Sequence, residues 1–378
     1  MQRKIKKVFL FRANSREDIR KIVNQAISKL MNSKPGIQVL VKPSLVCPRT
    51  GATTDIRLIE ETVKCLLDKN IYVLLGEGPG FEFDADKVFE ILGVKDLSQK
   101  YGIPLINLRK AKTTTVEIGG KVLKKIRLPI PVIESDAILN LPKFKTHMLT
   151  GITFAMKNLI GLLPDDERRK AHVFGIHQAI VDLNNFLADK NVLTIGDAIT
   201  VMGGSGGPAF GETFQRNILV LGQDNVAIDK VACDVFGIPW IKVGYLNLMR
   251  RYIESLKIDV IDKTGEVVEP IPLASASFLY KLAYRSVYIF DYLVSPLFKK
   301  SLIPRIITRL GTRVEISTKC NKCGMCVEIC PVGAISKDYE INFERCRYVR
   351  CLKCWEVCPI GAIEIKGFSK PKREVRWT

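Results

Sequence analysis

Eight cysteines of this 378-residue chain stand in two runs, Cys320-x2-Cys323-x2-Cys326-x3-Cys330-Pro331 and Cys346-x4-Cys351-x2-Cys354-x3-Cys358-Pro359. Around the last two cysteines of each run the sequence repeats, CVEICPVGAI at 326–335 and CWEVCPIGAI at 354–363. Three thiolates on a C-x2-C-x2-C turn wrap one corner of a cubane iron–sulfur cluster, and the fourth ligand comes from a distant C-x3-C-P cysteine. Paired C-x2-C knuckles also bind zinc, but eight cysteines in an inverted repeat with two following prolines fit zinc poorly. Disulfides are disfavoured, because MQRKIKKVFLF carries a four-residue apolar run, too short for a secretory signal.

Over roughly residues 316–366 the pattern resembles the bacterial two-[4Fe-4S] ferredoxins. Cross-ligation in such modules assigns Cys320, Cys323, Cys326 and Cys358 to one cluster, and Cys346, Cys351, Cys354 and Cys330 to the other. The four residues between Cys346 and Cys351, where the usual spacing is two, make the second site the departure from the pattern. Cys47, Cys65 and Cys233 lie apart and read as small core or near-site residues.

A second constellation follows a buried apolar run, AILNL at 137–141, which opens into Pro142-Lys143-Phe144-Lys145-Thr146-His147. If 142–147 is extended, Lys143, Lys145 and His147 share one face. Thr153 and Lys157, with Asn158 beside them, follow on the next segment, so three cations gather where a carboxylate or phosphate would bind. His147 and His172 are the candidates for acid–base or metal duties; His177, at a helix start, reads as structural. Asp197 ends another apolar run, ahead of Gly203-Gly204-Ser205-Gly206-Gly207-Pro208. Gly204 and Gly206 of that loop are candidates for cradling an anion through backbone amides, although the loop lacks the G-K-[ST] ending of a P-loop.

The elements that position these residues read as strands at 8–11, 36–42, 71–75, 137–141, 192–197 and 217–222. Helices are expected at 16 onward (opened by Ser15-x-x-Asp18), 55–68, 85–92, 151–161, 178–190 and 225–236, the last with Asp224 as N-cap. A hairpin is expected over 113–128. Short apolar strands alternating with helices give a mostly parallel layered α/β sheet, followed by a small α+β ferredoxin-like domain. Ligands of such sheets bind beyond the carboxyl ends of the strands, where Lys42, Ser44, Glu77, Lys143 and Asp197 fall. The domain boundaries expected are 1–270 for the α/β domain, 271–313 for a connector, 314–367 for the two-cluster domain and 368–378 for a basic tail. In the connector Tyr280, Tyr284, Tyr288 and Tyr292 recur every fourth residue, a face that docks the two domains or makes peripheral membrane contact.

LPKFKTHMLTGITFAMKNLIG, IGDAITVMGGSGGP and GQDNVAIDKVACDVFG resemble the family known as domain of unknown function 362, over about residues 35–240. Members often carry a C-terminal two-cluster ferredoxin module, as here. The resemblance implies functional roles for Lys143, Lys145, His147, Lys157, Asn158, His172, Asp197, Asp224 and Asp229, and supplies no substrate. A weaker similarity extends to lactate-racemase-like α/β proteins.

The formal charge is +19, from 58 basic and 39 acidic residues. Residues 314–366 hold eight basic and seven acidic side chains, so the excess lies elsewhere. A basic field suits acidic ligands or partners, and a lysine-rich solvated surface explains it equally. No nucleic-acid motif accompanies the charge, and no apolar run reaches membrane-spanning length. The reading is therefore a cytoplasmic iron–sulfur oxidoreductase, two [4Fe-4S] clusters passing electrons between a donor or acceptor protein and an anionic small molecule. The alternative is a non-catalytic ferredoxin-type adaptor that docks a partner reductase. The sequence leaves a flavin or additional metal unspecified.

Overall fold

The computed structural model describes residues 5–30, 35–47, 50–80, 84–204, 211–265, 268–273, 286, 289–290, 292–293, 313–330, 332–343, 345–346, 354–355, 358 and 362–366. The strands are β1 (Ile5–Arg12), β2 (Gln38–Pro43), β3 (Tyr72–Glu77), β4 (Leu105–Asn107), β5 (Thr113–Glu117), β6 (Lys125–Pro129), β7 (Ala137–Leu141), β8 (Lys143–His147), β9 (Gly151–Thr153), β10 (Asn191–Gly203), β11 (Glu212–Gly222) and β12 (Lys257–Lys263). The helices among them are α1 (Arg16–Leu30), α2 (Ile56–Leu67), α3 (Ala85–Ile91), α4 (Val94–Tyr101), α5 (Ile130–Glu134), α6 (Ala155–Asn158), α7 (Asp165–Phe174), α8 (Ile176–Phe186), α9 (Asn225–Val235), α10 (Gly244–Leu248) and α11 (Arg250–Ser255).

Ten strands form one sheet in the order β12-β1-β11-β10-β7-β2-β3-β4, with β8 beside β10 and β9 beside β8. Pairing is parallel at β12/β1, β10/β7, β10/β8, β7/β2, β2/β3 and β3/β4, and antiparallel at β1/β11, β11/β10 and β8/β9. The α/β, mostly parallel architecture expected from the sequence is the one observed. Alternation within a strand sends side chains to opposite faces. Ala137, Leu139 and Leu141 pack with Ile19, Val23, Leu58 and Val63 of α1 and α2. Ile138 packs instead with Met156, Ile180 and Ile228, from α6, α8 and α9. Both faces of β7 are thereby covered, which is why it reads as an uninterrupted apolar run.

Local signals set the boundaries. The Asp18 amide donates to Ser15 Oγ at 3.1 Å and the Ser15 amide to Asp18 Oδ2 at 2.9 Å, a reciprocal cap that opens α1. Asp55 caps α2 through the Arg57 amide, and Asp224 caps α9 through the Ala227 amide. β5 and β6 pair antiparallel as the expected hairpin. Two expectations need correction. Residues 151–161 do not form one helix: Gly151, at φ +82°, turns the chain so that β9 pairs antiparallel with β8, and the helix α6 begins only at Ala155. The β-branched Ile152–Thr153 pair suits that strand. β10 also continues past Asp197 to Gly203, through a bulge between Ala198 and Thr200, so Asp197 lies inside a strand.

In the C-terminal part, β13 (Arg313–Ile316) and β14 (Ile363–Lys366) pair antiparallel, and Val314, Cys326, Ile335 and Ile363 form a small separate core. Tyr280, Tyr284 and Tyr288 lie outside the described residues, as do Gly206, Cys351 and residues 368–378. Tyr292 meets Phe174 edge to face, with ring centroids 5.7 Å apart. Among the described residues no helix is long and apolar enough to cross a membrane.

Candidate functional site

β7 and β8 both run parallel to β10, separated by Pro142, which has no amide proton to offer the ladder. Its carbonyl accepts from the Asp197 amide at 2.7 Å. That register sets Lys143 opposite Asp197. Lys143 Nζ donates to both carboxylate oxygens of Asp197 at 3.2 and 3.1 Å. The same carboxylate accepts from the amides of Asp55 and Ile199 at 2.7 and 2.9 Å. Burial pushes the Asp197 carboxyl up, and Lys143 opposes the shift. The pair therefore knots β8, β10 and the start of α2 together.

Two residues on, Lys145 is also buried, and its Nζ donates to the Ala52 carbonyl at 2.8 Å. Burial lowers its pKa to about 8; Cys47 and Glu77 oppose that, while Lys143 and Lys42 add to it. Its cross-strand neighbour is Thr153, whose hydroxyl is buried without a hydrogen-bond partner among the described residues. The side chain of Lys157, on α6, carries no hydrogen bond or ion pair among the described residues. Burial lowers its pKa to about 7, helped by the charges of Lys145 and Arg168.

The chain has three histidines, and His147 and His172 bear on this ground. Burial drives His147 well below its ordinary value, with Lys157, His172, Lys145 and His177 adding to the shift. Its Nδ1 accepts from the Leu149 amide at 3.2 Å, which leaves the proton of the neutral ring on Nε2. His172, on α7, falls to about 3 through burial and the charges of Lys157 and Arg168. His177 packs on Gly244, where an added Cβ would lie 2.5 Å from its Cε1. Among the described residues no three His, Cys, Asp or Glu side chains are placed to hold a metal ion.

A second layer closes the site from behind. Lys42 Nζ donates to Glu77 Oε2 at 2.6 Å, both fully enclosed, and the Gly78 amide donates to Glu77 Oε1 at 2.8 Å. A Cβ at Gly161 would stand 2.5 Å from that carboxylate and 2.8 Å from Lys42 Nζ, so only glycine admits the pair there. Arg168 Nη1 donates to the carbonyls of Gly78 and Pro79 at 2.7 and 3.1 Å, and Arg168 Nη2 to Asp165 at 2.8 Å. Asn158 Nδ2 donates to Asn140 Oδ1 at 2.8 Å, and Asn140 Nδ2 to the Ala155 carbonyl at 3.1 Å. Asp229 accepts from the Ala155 and Met156 amides at 2.7 and 3.2 Å and from the Tyr245 hydroxyl at 2.9 Å. These bonds fix the start of α6 and hence Lys157. The Gly204 carbonyl accepts from Thr146 Oγ1 at 3.3 Å, so the glycine loop leaves from beside β8.

Of the residues singled out in the sequence, the structure thus gathers Lys145, His147, Lys157 and His172. It turns Lys143 and Asp197 toward each other and Asn158 into the network under α6. Arg168 and the Thr153 hydroxyl join the group. Arg168 stands in the charged run DDERRK, and only tertiary packing reveals its burial.

Residues 39–234, just over half of the chain, match the family described as Domain of unknown function (DUF362). The chain belongs to that family. This DUF362 protein is 26% identical over 212 residues to the thylakoid-associated protein sll1697 of Synechocystis sp., covering 53% of this chain and 64% of that protein, so it spans less than two thirds of that relative. Among solved structures, a Thermotoga maritima protein matches with a TM-score of 0.40 and 15% identity over 58% of each chain. The lactate racemase apoprotein of Thermoanaerobacterium thermosaccharolyticum matches with a TM-score of 0.42 and 15% identity, over 61% of this chain and 57% of that one.

Residues 314–336 of the DUF362 protein match the 4Fe-4S binding domain. The thiols here fit such a cluster in two respects. Cys326 is buried, and its thiol is pushed up by burial and then by its neighbours Cys320, Cys323 and Cys358, the set expected for one cubane. The Ala334 amide donates to Cys330 Sγ and the Ala362 amide to Cys358 Sγ, each at 3.1 Å, so the two repeats hold their last cysteine in the same way.

Proposed function

We propose that this DUF362 protein is an iron–sulfur oxidoreductase whose cysteine module exchanges electrons with an anionic ligand held beside β8. The observation that carries the reading is the convergence of Lys145, Lys157 and Arg168 with His147 and His172. Among the described residues no carboxylate pairs with Lys157. In this reading Lys145 and Lys157 hold the anion, and His147 and His172 stand beside it as neutral imidazoles whose protonation waits on the anion's counter-charge. Lys143 and Asp197 act from behind by fixing the strand that carries Lys145. Gly204, whose carbonyl accepts from Thr146 of β8, flanks the ligand, and Gly206 keeps its sequence-based role as an anion-binding candidate. Residues 1–270 constitute the ligand-binding domain and 314–367 a two-cluster domain, joined through 271–313.

Cys320, Cys323, Cys326 and Cys358 would hold one cluster, and Cys346, Cys351, Cys354 and Cys330 the other. Bound clusters supply one-electron transfer. The partner is an electron donor or acceptor protein. Peripheral contact of this protein with a membrane is supported by the thylakoid-associated relative and by the exposed side chains of Ile289, Phe290 and Leu293.

Anaerobic purification with iron and sulfide determination, followed by reductive titration with and without candidate anions, tests the reading. About eight irons per chain are expected for two cubanes, and fewer than about six sink the two-cluster assignment. Cluster reduction or reoxidation that depends on a bound anion supports an oxidoreductase. Clusters indifferent to every anion that binds leave the electron-transfer adaptor in its place.

A further inference from the structure

We propose that the Ser317 hydroxyl donates a hydrogen bond to a sulfur of the cluster held by Cys320, Cys323, Cys326 and Cys358, making that cluster the higher-potential one of the two. This deepens the iron–sulfur reading and rests on its two-cluster assignment. The hydrogen bonds of the cysteine module repeat with a pseudo-symmetry. β13 ends with Ile316 opposite Ile363 of β14, and the pairing runs one step further, the Ser317 amide donating to the Ala362 carbonyl at 2.8 Å. In the other half Ile341 pairs with Ile335, and the Asn342 amide donates to the Ala334 carbonyl at 2.8 Å. The Ala362 amide in turn donates to Cys358 Sγ and the Ala334 amide to Cys330 Sγ, each at 3.1 Å. The Ser317 carbonyl accepts from the Cys320 amide at 3.0 Å, and the Asn342 carbonyl from the Cys346 amide at 2.9 Å. Ser317 and Asn342 thus occupy the same place in the two halves. Each is tied to the first cysteine of one run and, through one alanine, to the last cysteine of the other.

At that shared place the side chains differ. Ser317 Oγ is buried and has no hydrogen-bond partner among the described residues. Asn342 is exposed, and its Oδ1 accepts from the Arg345 amide at 3.2 Å, inside its own loop. The loops differ too, since Cys320 follows Ser317 by three residues and Cys346 follows Asn342 by four. Buried hydroxyls are nearly always bonded, because an unmade bond is costly once water is excluded. The groups on either side of Ser317 both serve the first site, Cys320 as a ligand and Ala362 by holding Cys358. Ile316, the residue before it, packs on the small core that contains Cys326 and carries Cys358. Sulfurs held by those ligands are therefore the acceptors that complete this hydroxyl. A donor to a cluster sulfur favours the reduced, more negative form, and such hydrogen bonds are among the controls on potential. An electron entering the module then settles on the cluster of Cys320 in preference to that of Cys346.

The test is an anaerobic titration of the intact, cluster-loaded chain with sodium dithionite, followed by electron paramagnetic resonance, with iron determined on every sample. Wild type should show two reduction steps. In Ser317→Ala the higher step should become about three- to tenfold less favourable, a fall of roughly 30–60 mV for a one-electron couple, while the lower step stays. Ser317→Thr, which keeps the hydroxyl, should reduce as wild type does. Fully loaded Ser317→Ala with both steps at wild-type potentials overturns the inference, and so does a fall confined to the lower step. A second measurement needs no variant and decides the matter if Ser317→Ala loses iron. After brief transfer to heavy water, hydroxyls exchange ahead of hydrogen-bonded amides. The half-reduced wild-type chain should then show a deuteron coupled to the reduced cluster, and its absence overturns the proposal. Wild type with fewer than about six irons per chain takes the inference down together with the two-cluster assignment. Full iron with an unmoved Ser317→Ala removes the hydroxyl's role and leaves that assignment standing.

Discussion

Replacing Lys143 by Met tests whether the buried pair with Asp197 is part of the architecture or of the chemistry. The stem keeps its volume and the ammonium is lost, so packing changes little. Asp197 is fully buried and would retain only the Asp55 and Ile199 amides as donors. Breaking a buried pair by removing one partner costs about 3–5 kcal/mol, and the two remaining amides place the expected loss near the lower end, about 3 kcal/mol. With the ammonium gone the Asp197 carboxyl rises further above its ordinary value. A group whose folded pKa lies above its unfolded one contributes stability at low pH and loses it as pH climbs. The deficit of Lys143→Met should therefore be larger at pH 7 than at pH 4.5. Urea unfolding followed by far-ultraviolet circular dichroism should show a midpoint lower by roughly 1 M at pH 7. Adding Asp197→Asn should restore a substantial part. A Lys143→Met protein within about 0.5 kcal/mol of wild type at both pH values, yet unable to bind any anion, would refute this reasoning and make Lys143 a ligand-binding residue.

Three further outcomes are expected. Gly196→Ala would place a Cβ 2.2 Å from the Phe154 ring, where β10 crosses the start of α6; thermal unfolding should show a loss of about 1–3 kcal/mol or more from overpacking. His172, held at about 3 by burial and by Lys157 and Arg168, favours the fold above its unfolded pKa of about 6.5. That contribution fades as pH falls from about 6.5 to 3, so His172→Gln should flatten the acid limb of the stability profile measured by urea midpoints. Cys326→Ser should lower bound iron by about four per chain and spare the anion affinity of the α/β part, as read by iron determination beside calorimetry.

Much of the scaffold was legible because its signals are local. The run AILNL has both faces covered and so could only be a central strand, and Ser15, Asp55 and Asp224 mark helix starts with side chains that cap them. The same locality misplaced the segment after His147. Its apolar spacing suits a helix, but Gly151 permits a turn that lets Ile152 and Thr153 extend the sheet through β8. The continuation of β10 beyond Asp197 was hidden similarly, since the bulge there depends on pairing with β11 and β8.

The site divides along the same line. Periodicity placed Lys143, Lys145 and His147 on one face, and β8 does carry them at alternate positions. It could not say that the first of these finds a carboxylate and the second does not. That difference comes from the register set at Pro142, whose carbonyl takes the Asp197 amide, so Asp197 falls opposite Lys143 while Met202 falls opposite Lys145. Lys145 is left with a carbonyl, Lys157 with no partner among the described residues, and each with fellow cations for neighbours. A stability argument alone would remove such groups, because unpaired buried charge is costly. Their joint placement on β8 and α6, with an unsatisfied hydroxyl and neutral imidazoles around them, is the arrangement an incoming anion would complete.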